Sequence, residues 1–176
     1  MNPSRIRQQF AEHIEHTMLA AEHLPDALLN AGDRLLAALL EGGRVFVFGD
    51  GHHAWLAQLF SARLLQGHST ERPPLPALVL STTDTEAQLR ALCQRHDMLV
   101  MIGDGPLAAS LASIARDRDA GLVLLSPEPP AGFATGDNDC LVPVPSSSPS
   151  RWQEITLLAL HTLCDHIEQQ LFGDLT

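Results

Sequence analysis

Two short turns concentrate the chemistry of this chain, Gly49-Asp50-Gly51-His52-His53 and Gly103-Asp104-Gly105-Pro106. Each follows a run of apolar residues and precedes a helical pattern, so each sits between a strand and a helix. A glycine turn in that place presents free backbone amides and the positive end of the helix dipole, which suits a phosphate group. The same glycines also serve a plain tight connection. Asp50 and Asp104 oppose a phosphate by like charge unless they cap their own helices. His52 and His53 can add positive charge to the first turn. The second turn has no hydroxyl and is a poor cradle.

Other reactive side chains are scattered. His13 and His16 lie three apart beside Glu12 and could chelate a metal on one helix face, although an exposed polar face also accounts for them. His161, Cys164 and Asp165 lie close together, with no second Cys or His cluster to join them. The sequence contains no Gly-x-Ser-x-Gly elbow, no P-loop and no GxGxxG, so hydrolase and nucleotide chemistry lack support. Cys93, Cys140 and Cys164 are far apart with no CxxC, as in buried thiols of a reducing compartment. No cofactor and no metal are expected.

Periodicity assigns the elements that hold these residues. Ser4 can cap a first helix with Ile6, Phe10, Ile14, Met18 and Ala21 on one face. Pro25 opens a second helix that stops at Gly42-Gly43. That first helix has little core of its own to cover, which makes it a candidate for packing on another subunit. Apolar runs follow at Val45–Phe48, Pro76–Leu80, Met98–Ile102 and Leu122–Leu125, with a weaker one at Cys140–Pro143. Helical patterns alternate with them, including one over Thr85–Arg95 and a last one from Pro149 to Phe172. Strands that are apolar throughout and alternate with helices predict a parallel, doubly wound α/β sheet of five strands. Ligands of such sheets bind beyond the strand carboxyl ends, where strand order reverses. In the flavodoxin-like order that point lies between the first and third strands, the two that lead into Gly-Asp-Gly.

The chain has 176 residues, 45% hydrophobic and 18% charged, with a net charge of -10. It fits one domain with a proper core. Residues 1–43 read as helices for assembly, and 44–176 as the α/β domain with which they form one unit. All eleven cations are arginines and they are dispersed, so no basic patch favours nucleic acid or a membrane surface. No apolar segment approaches the roughly 20 residues that span a bilayer. The Met-Asn-Pro-Ser-Arg start resembles no secretion signal, and a cytoplasmic location is expected.

Several stretches are specific enough to suggest a family. Gly49-Asp-Gly-His-His-Ala54 resembles the Gly-Asn-Gly-Gly-Ser-Ala signature of the phosphoheptose isomerase branch of sugar-isomerase (SIS) proteins. Glu71-Arg-Pro-Pro-Leu-Pro-Ala77 is similar to that branch's Glu-Arg-Pro-Ser-Leu-Pro-Ala, and Arg151-Trp-Gln-Glu154 to its Arg-Ile-Gln-Glu. The ending, from Leu163-Cys-Asp165 to Leu171-Phe172, resembles the DiaA group, which associates with the replication initiator DnaA.

This resemblance implies a five-stranded SIS sheet and a homodimer or, more usually, a homotetramer built with the N-terminal helix. It also implies a phosphosugar crevice at Gly49, Asp50, Gly51, His52, His53, Gly103, Asp104 and Gly105, with Arg72 joining them. Where the family has a metal-binding His and a proton-shuttling Glu, this chain has Leu59 and Arg63. Gln153 and His161 remain as relics. Arginine stays protonated at any usable pH, so Arg63 cannot be the base of an enediol mechanism. Two leftover ligands fall short of the three or four that zinc takes. The stretch Ser81–His96 is shorter than its family counterpart. The expectation is a non-catalytic, DiaA-like binding protein with itself and DnaA, or a similar protein, as partners. A phosphosugar sensor or isomerase is the alternative. Leu171-Phe172 is either the end of helix packing or an exposed partner anchor.

Overall fold

A computed structural model describes residues 2–69, 71–130, 133, 136–145 and 148–173. Helices α1 (Pro3–His23) and α2 (Pro25–Leu40) lead into strand β1 (Val45–Gly49), which a 3-10 turn at Gly51–His53 joins to α3 (Ala54–Gln66). Then come β2 (Ala77–Val79), α4 (Thr85–Leu92), β3 (Met98–Ile102), α5 (Ala108–Arg116), β4 (Gly121–Ser126), β5 (Asp139–Pro143) and α6 (Pro149–Phe172). The five strands are parallel in the order β2-β1-β3-β4-β5, so the order reverses between β1 and β3 as the flavodoxin-like reading requires.

Alternation along each strand sorts the core into two layers. Val45 and Val47, Val100 and Ile102, and Val123 and Leu125 pack with α2, α3 and α6. Phe46 and Phe48, Leu99 and Met101, and Leu122 and Leu124 face α4 and α5. Leu35 of α2 and Leu163 of α6 are fully buried in the first layer, so the N-terminal helices share one core with the sheet. Edge strand β2 is poorly covered: Leu78 and Val79 are 39% and 40% exposed.

Two sequence expectations shift by a few residues. Asn2, not Ser4, caps α1, its side chain accepting from the Ser4 N–H at 3.1 Å. Helix α4 ends at Leu92, short of Arg95, because the buried Asp97 carboxylate takes the Gln94 amide at 2.8 Å and the Arg44 amide at 2.8 Å. His96 then turns through a positive φ of 70° into β3. No helix among the described residues is long and apolar enough to cross a membrane.

Helix α1 lies on the outside. Ala20 is its one fully buried residue among those described, while Phe10 and Met18 are 67% and 62% exposed. Polar contacts to α6 hold its middle. His13 Nδ1 lies 2.7 Å from Glu154 Oε2, and Arg151 donates to Gln9 Oε1 at 2.9 Å while also pairing with Glu154.

Candidate functional site

The two glycine turns meet at the carboxyl ends of β1 and β3, where they were expected. Their side chains interlock. Asp50 stays extended (φ -85°, ψ 156°) and makes no capping bond, so its carboxylate reaches across to the second turn. A Cβ on Gly105 would lie 1.7 Å from Asp50 Oδ2, and one on Gly103 2.5 Å from His53 Nδ1. Gly103 also has a φ of +103°, which favours glycine on conformational grounds. The glycines of the second turn are therefore needed for the close approach of the first. Leu107, not Asp104, precedes α5, and Asp104 is exposed. Neither aspartate caps its helix, so both oppose a phosphate by like charge.

His53 ties the crevice together. Its Nδ1 is 3.3 Å from Asp50 Oδ1, and its ring meets Trp152 edge-on with centroids 4.6 Å apart. Beyond it opens a cavity of about 430 Å³, lined by His53, Gly103, Asp104, Ser148, Pro149 and Trp152 among others. Ser148 caps α6 by accepting from the Arg151 amide at 3.4 Å. His52 is exposed and does not line this cavity.

Arg72 does not join the crevice. It precedes β2, at the amino ends of the strands, and is buried in an ion pair with Glu168 of α6, Nε to Oε1 2.8 Å. Its remaining donors reach the carbonyls of Leu64 (2.9 Å), Pro73 (3.0 Å) and Arg63 (3.0 Å). Glu168 also accepts from the amides of His68 (2.6 Å) and Ser69 (2.9 Å). Burial alone would raise the Glu168 pKa, but those two amides and the Arg72 guanidinium hold it below the usual carboxylate value. The C-terminal pair is engaged here. Leu171 packs against the main core, and the Phe172 ring lies 5.8 Å from the Arg72 guanidinium.

Of the relic positions, Gln153 is half-buried near the start of α6. His161 lies two turns further along, stacked on His68 with ring centroids 4.9 Å apart. Burial first, then the charges of His68 and Arg63, lower its pKa below 6.5. The donor set does not fit the zinc found in some family members. An aliphatic Leu59 cannot ligate, and Arg63 brings a fixed positive charge to a place a cation would need. Among the described residues no three His, Cys, Asp or Glu converge, and His13 and His16 are engaged with Glu154 and the Glu12 carbonyl. Cys164 and Cys93 are pushed up to about 12 and about 11, chiefly by burial, and stay protonated.

Sequence reasoning missed Trp152 as a wall of the crevice and Glu168 as the partner of Arg72. The second had a signal. Glu168 continues the row Leu160-Cys164 at four-residue spacing, and an acid on an apolar helix face calls for a buried cation.

Comparison with known proteins agrees with this architecture. The SIS domain family pattern matches residues 9–120. The phosphoheptose isomerase of Chromohalobacter salexigens is 37% identical over 191 aligned positions, covering 97% of this chain and 96% of that protein. The phosphoheptose isomerase of Methylococcus capsulatus is 37% identical over 196 positions, covering 99% and 100%. These alignments are longer than the 176-residue chain, so the relatives carry residues that it lacks. Among solved structures, a phosphoheptose isomerase from Francisella tularensis superposes with a TM-score of 0.85 at 29% identity, covering 96% and 100%. HobA, solved in complex with DnaA domains I–II from Helicobacter pylori, shares the fold, with a TM-score of 0.66 at 15% identity, covering 98% and 94%. The chain belongs to the SIS-domain family and has strong homology to the phosphoheptose isomerases.

Proposed function

We propose that this protein is a non-catalytic, cytoplasmic SIS-fold binding protein similar to DiaA. It would act as a homo-oligomeric scaffold for DnaA or a similar protein. One observation carries the reading: the Asp50 carboxylate lies against Gly105, so the protein's own anion occupies the turn where the resemblance puts a phosphate. Arg63, in place of the proton-shuttling glutamate, agrees with it. The exposed row on α1 supports assembly, since soluble proteins seldom leave such apolar faces uncovered. Several copies of one weak anchor would then act together. With α1 given to assembly, the half-buried pair Leu171 and Phe172 at the end of α6 is the candidate for that anchor. The fold shared with HobA is consistent with a DnaA-binding role.

A second reading, a phosphosugar sensor or working isomerase, is favoured by the 37% identity to phosphoheptose isomerases along nearly the whole chain. Turnover of sedoheptulose 7-phosphate by the purified protein separates the two. The scaffold reading expects none above buffer. Turnover that His161→Ala abolishes would establish the enzyme instead.

A further inference from the structure

A cluster of nitrogen donors lies outside the crevice, where α3 ends against α6. It comprises Arg63 of α3, His68 just after that helix, and His161 of α6. His68 Nδ1 and His161 Nε2 are buried and have no hydrogen-bond partner. The opposite nitrogens, His68 Nε2 and His161 Nδ1, are not among the buried unpartnered atoms, and both residues are half-buried. A buried N–H without an acceptor is rarer and costlier than a buried bare lone pair. In each ring the hydrogen therefore belongs on the outward nitrogen. The two rings that carry these N–H groups are stacked 4.9 Å apart.

Arg63 completes the set. Its side chain is exposed, has no acidic partner among the described residues, and its charge acts on His161. The nearby acids are committed elsewhere. Both Glu168 oxygens are taken by Arg72 and the His68 and Ser69 amides, and Asp165 accepts from Gln169 at 3.2 Å. Arg63, His68 and His161 thus bring three nitrogen donors together in a chain of net charge -10.

We propose that Arg63, His68 and His161 form a binding site for the oxyanion of a small molecule, a phosphate or sulfate group. The arginine fork would contact two of its oxygens and the imidazole N–H groups the others. The site inverts the charge of the family arrangement at the same place, where a carboxylate and a metal ion would hold an electron-rich substrate. It does not depend on whether the crevice binds sugars, and crevice variants separate the two.

The test is titration of the intact protein with inorganic phosphate and with sulfate, each against sodium chloride at matched ionic strength. Binding is followed by the ring 15N and 1H signals of His68 and His161. Saturable shifts of both rings are expected, with affinity at least tenfold weaker in Arg63→Gln, restored in Arg63→Lys and unchanged in Asp50→Asn. Because Arg63 is exposed, these variants fold without relying on a core substitution. Shifts reproduced by chloride, shifts as large in Arg63→Gln as in the parent, or binding controlled by Asp50 would each overturn the proposal. Absence of any saturable shift would do so as well.

Discussion

The two ends of α6 handle polar groups in opposite ways. At its start, His53, Asp50 and Trp152 meet beside an open cavity, with a single ion-pair contact of 3.3 Å. Sixteen residues further on, about 24 Å along the helix, Glu168 and Arg72 are almost wholly removed from water, with side chains 4% and 1% exposed. There four of the five Arg72 N–H groups and both Glu168 oxygens have partners. A dry ion pair is stable only when its geometry is good and further hydrogen bonds satisfy its remaining groups, and Arg72 and Glu168 find five between them besides each other. The lesson concerns motifs. Arg72, read as part of a ligand site, belongs instead to the structural lock.

Breaking the lock should have the largest effect. Glu168→Gln or Arg72→Met leaves the other partner charged and buried, and urea unfolding should show a loss of about 3–5 kcal/mol. Replacing both by leucine should not restore the parent, because the His68 and Ser69 amides and three carbonyls lose their partners too. Full recovery in the double variant would show that the pair only fills space.

The open end should respond in ligand binding more than in stability. Asp50→Asn combined with Asp104→Ser and Pro106→Gly removes the carboxylate from the second turn and adds a hydroxyl and a free amide to it. A phosphosugar at ~100 times its Kd would then contribute about 2.7 kcal/mol, visible in the melting temperature. The parent should shift little. A clear shift in the parent, absent with the unphosphorylated sugar, would favour the sensor.

Between these ends, α1 provides a check on assembly. Phe10→Glu with Met18→Glu places charges on the exposed apolar row, and light scattering should show a dimer or tetramer becoming a monomer. A parent that is monomeric at micromolar concentration contradicts the scaffold.

The smallest effect concerns pH. His161 has a folded pKa below its unfolded value of 6.5, mainly through burial. The unfolded chain therefore takes up a proton first as pH falls. The stability that His161 contributes is complete above pH 6.5 and is lost as pH drops toward the folded value. His161→Gln should flatten that part of the profile, and an unchanged slope would assign it to other groups.

Much of this was legible in the chain. The apolar runs at Val45–Phe48 and Met98–Ile102 marked central strands because a sheet covered on both faces needs no polar alternation. The position of the crevice followed from strand order. The direction of a side chain across a turn did not, since whether Asp50 caps its own helix or crosses to Gly105 depends on a backbone angle that tertiary packing sets. For the same reason the partner of Arg72, nearly a hundred residues away, and the stacking of His68 on His161 were out of reach of local pattern. The stretch 146–147, part of the Ser/Pro segment before α6, lies outside the described residues.

The most direct test of the central claim is calorimetric titration of sedoheptulose 7-phosphate into the parent and into Asp50→Asn. If Asp50 holds the place of the ligand's phosphate, the parent should give no saturable crevice binding, and Asp50→Asn, which removes the charge and matches the family's Gly-Asn-Gly, should bind. Saturable binding to the parent that is equal or weaker in Asp50→Asn would contradict the account.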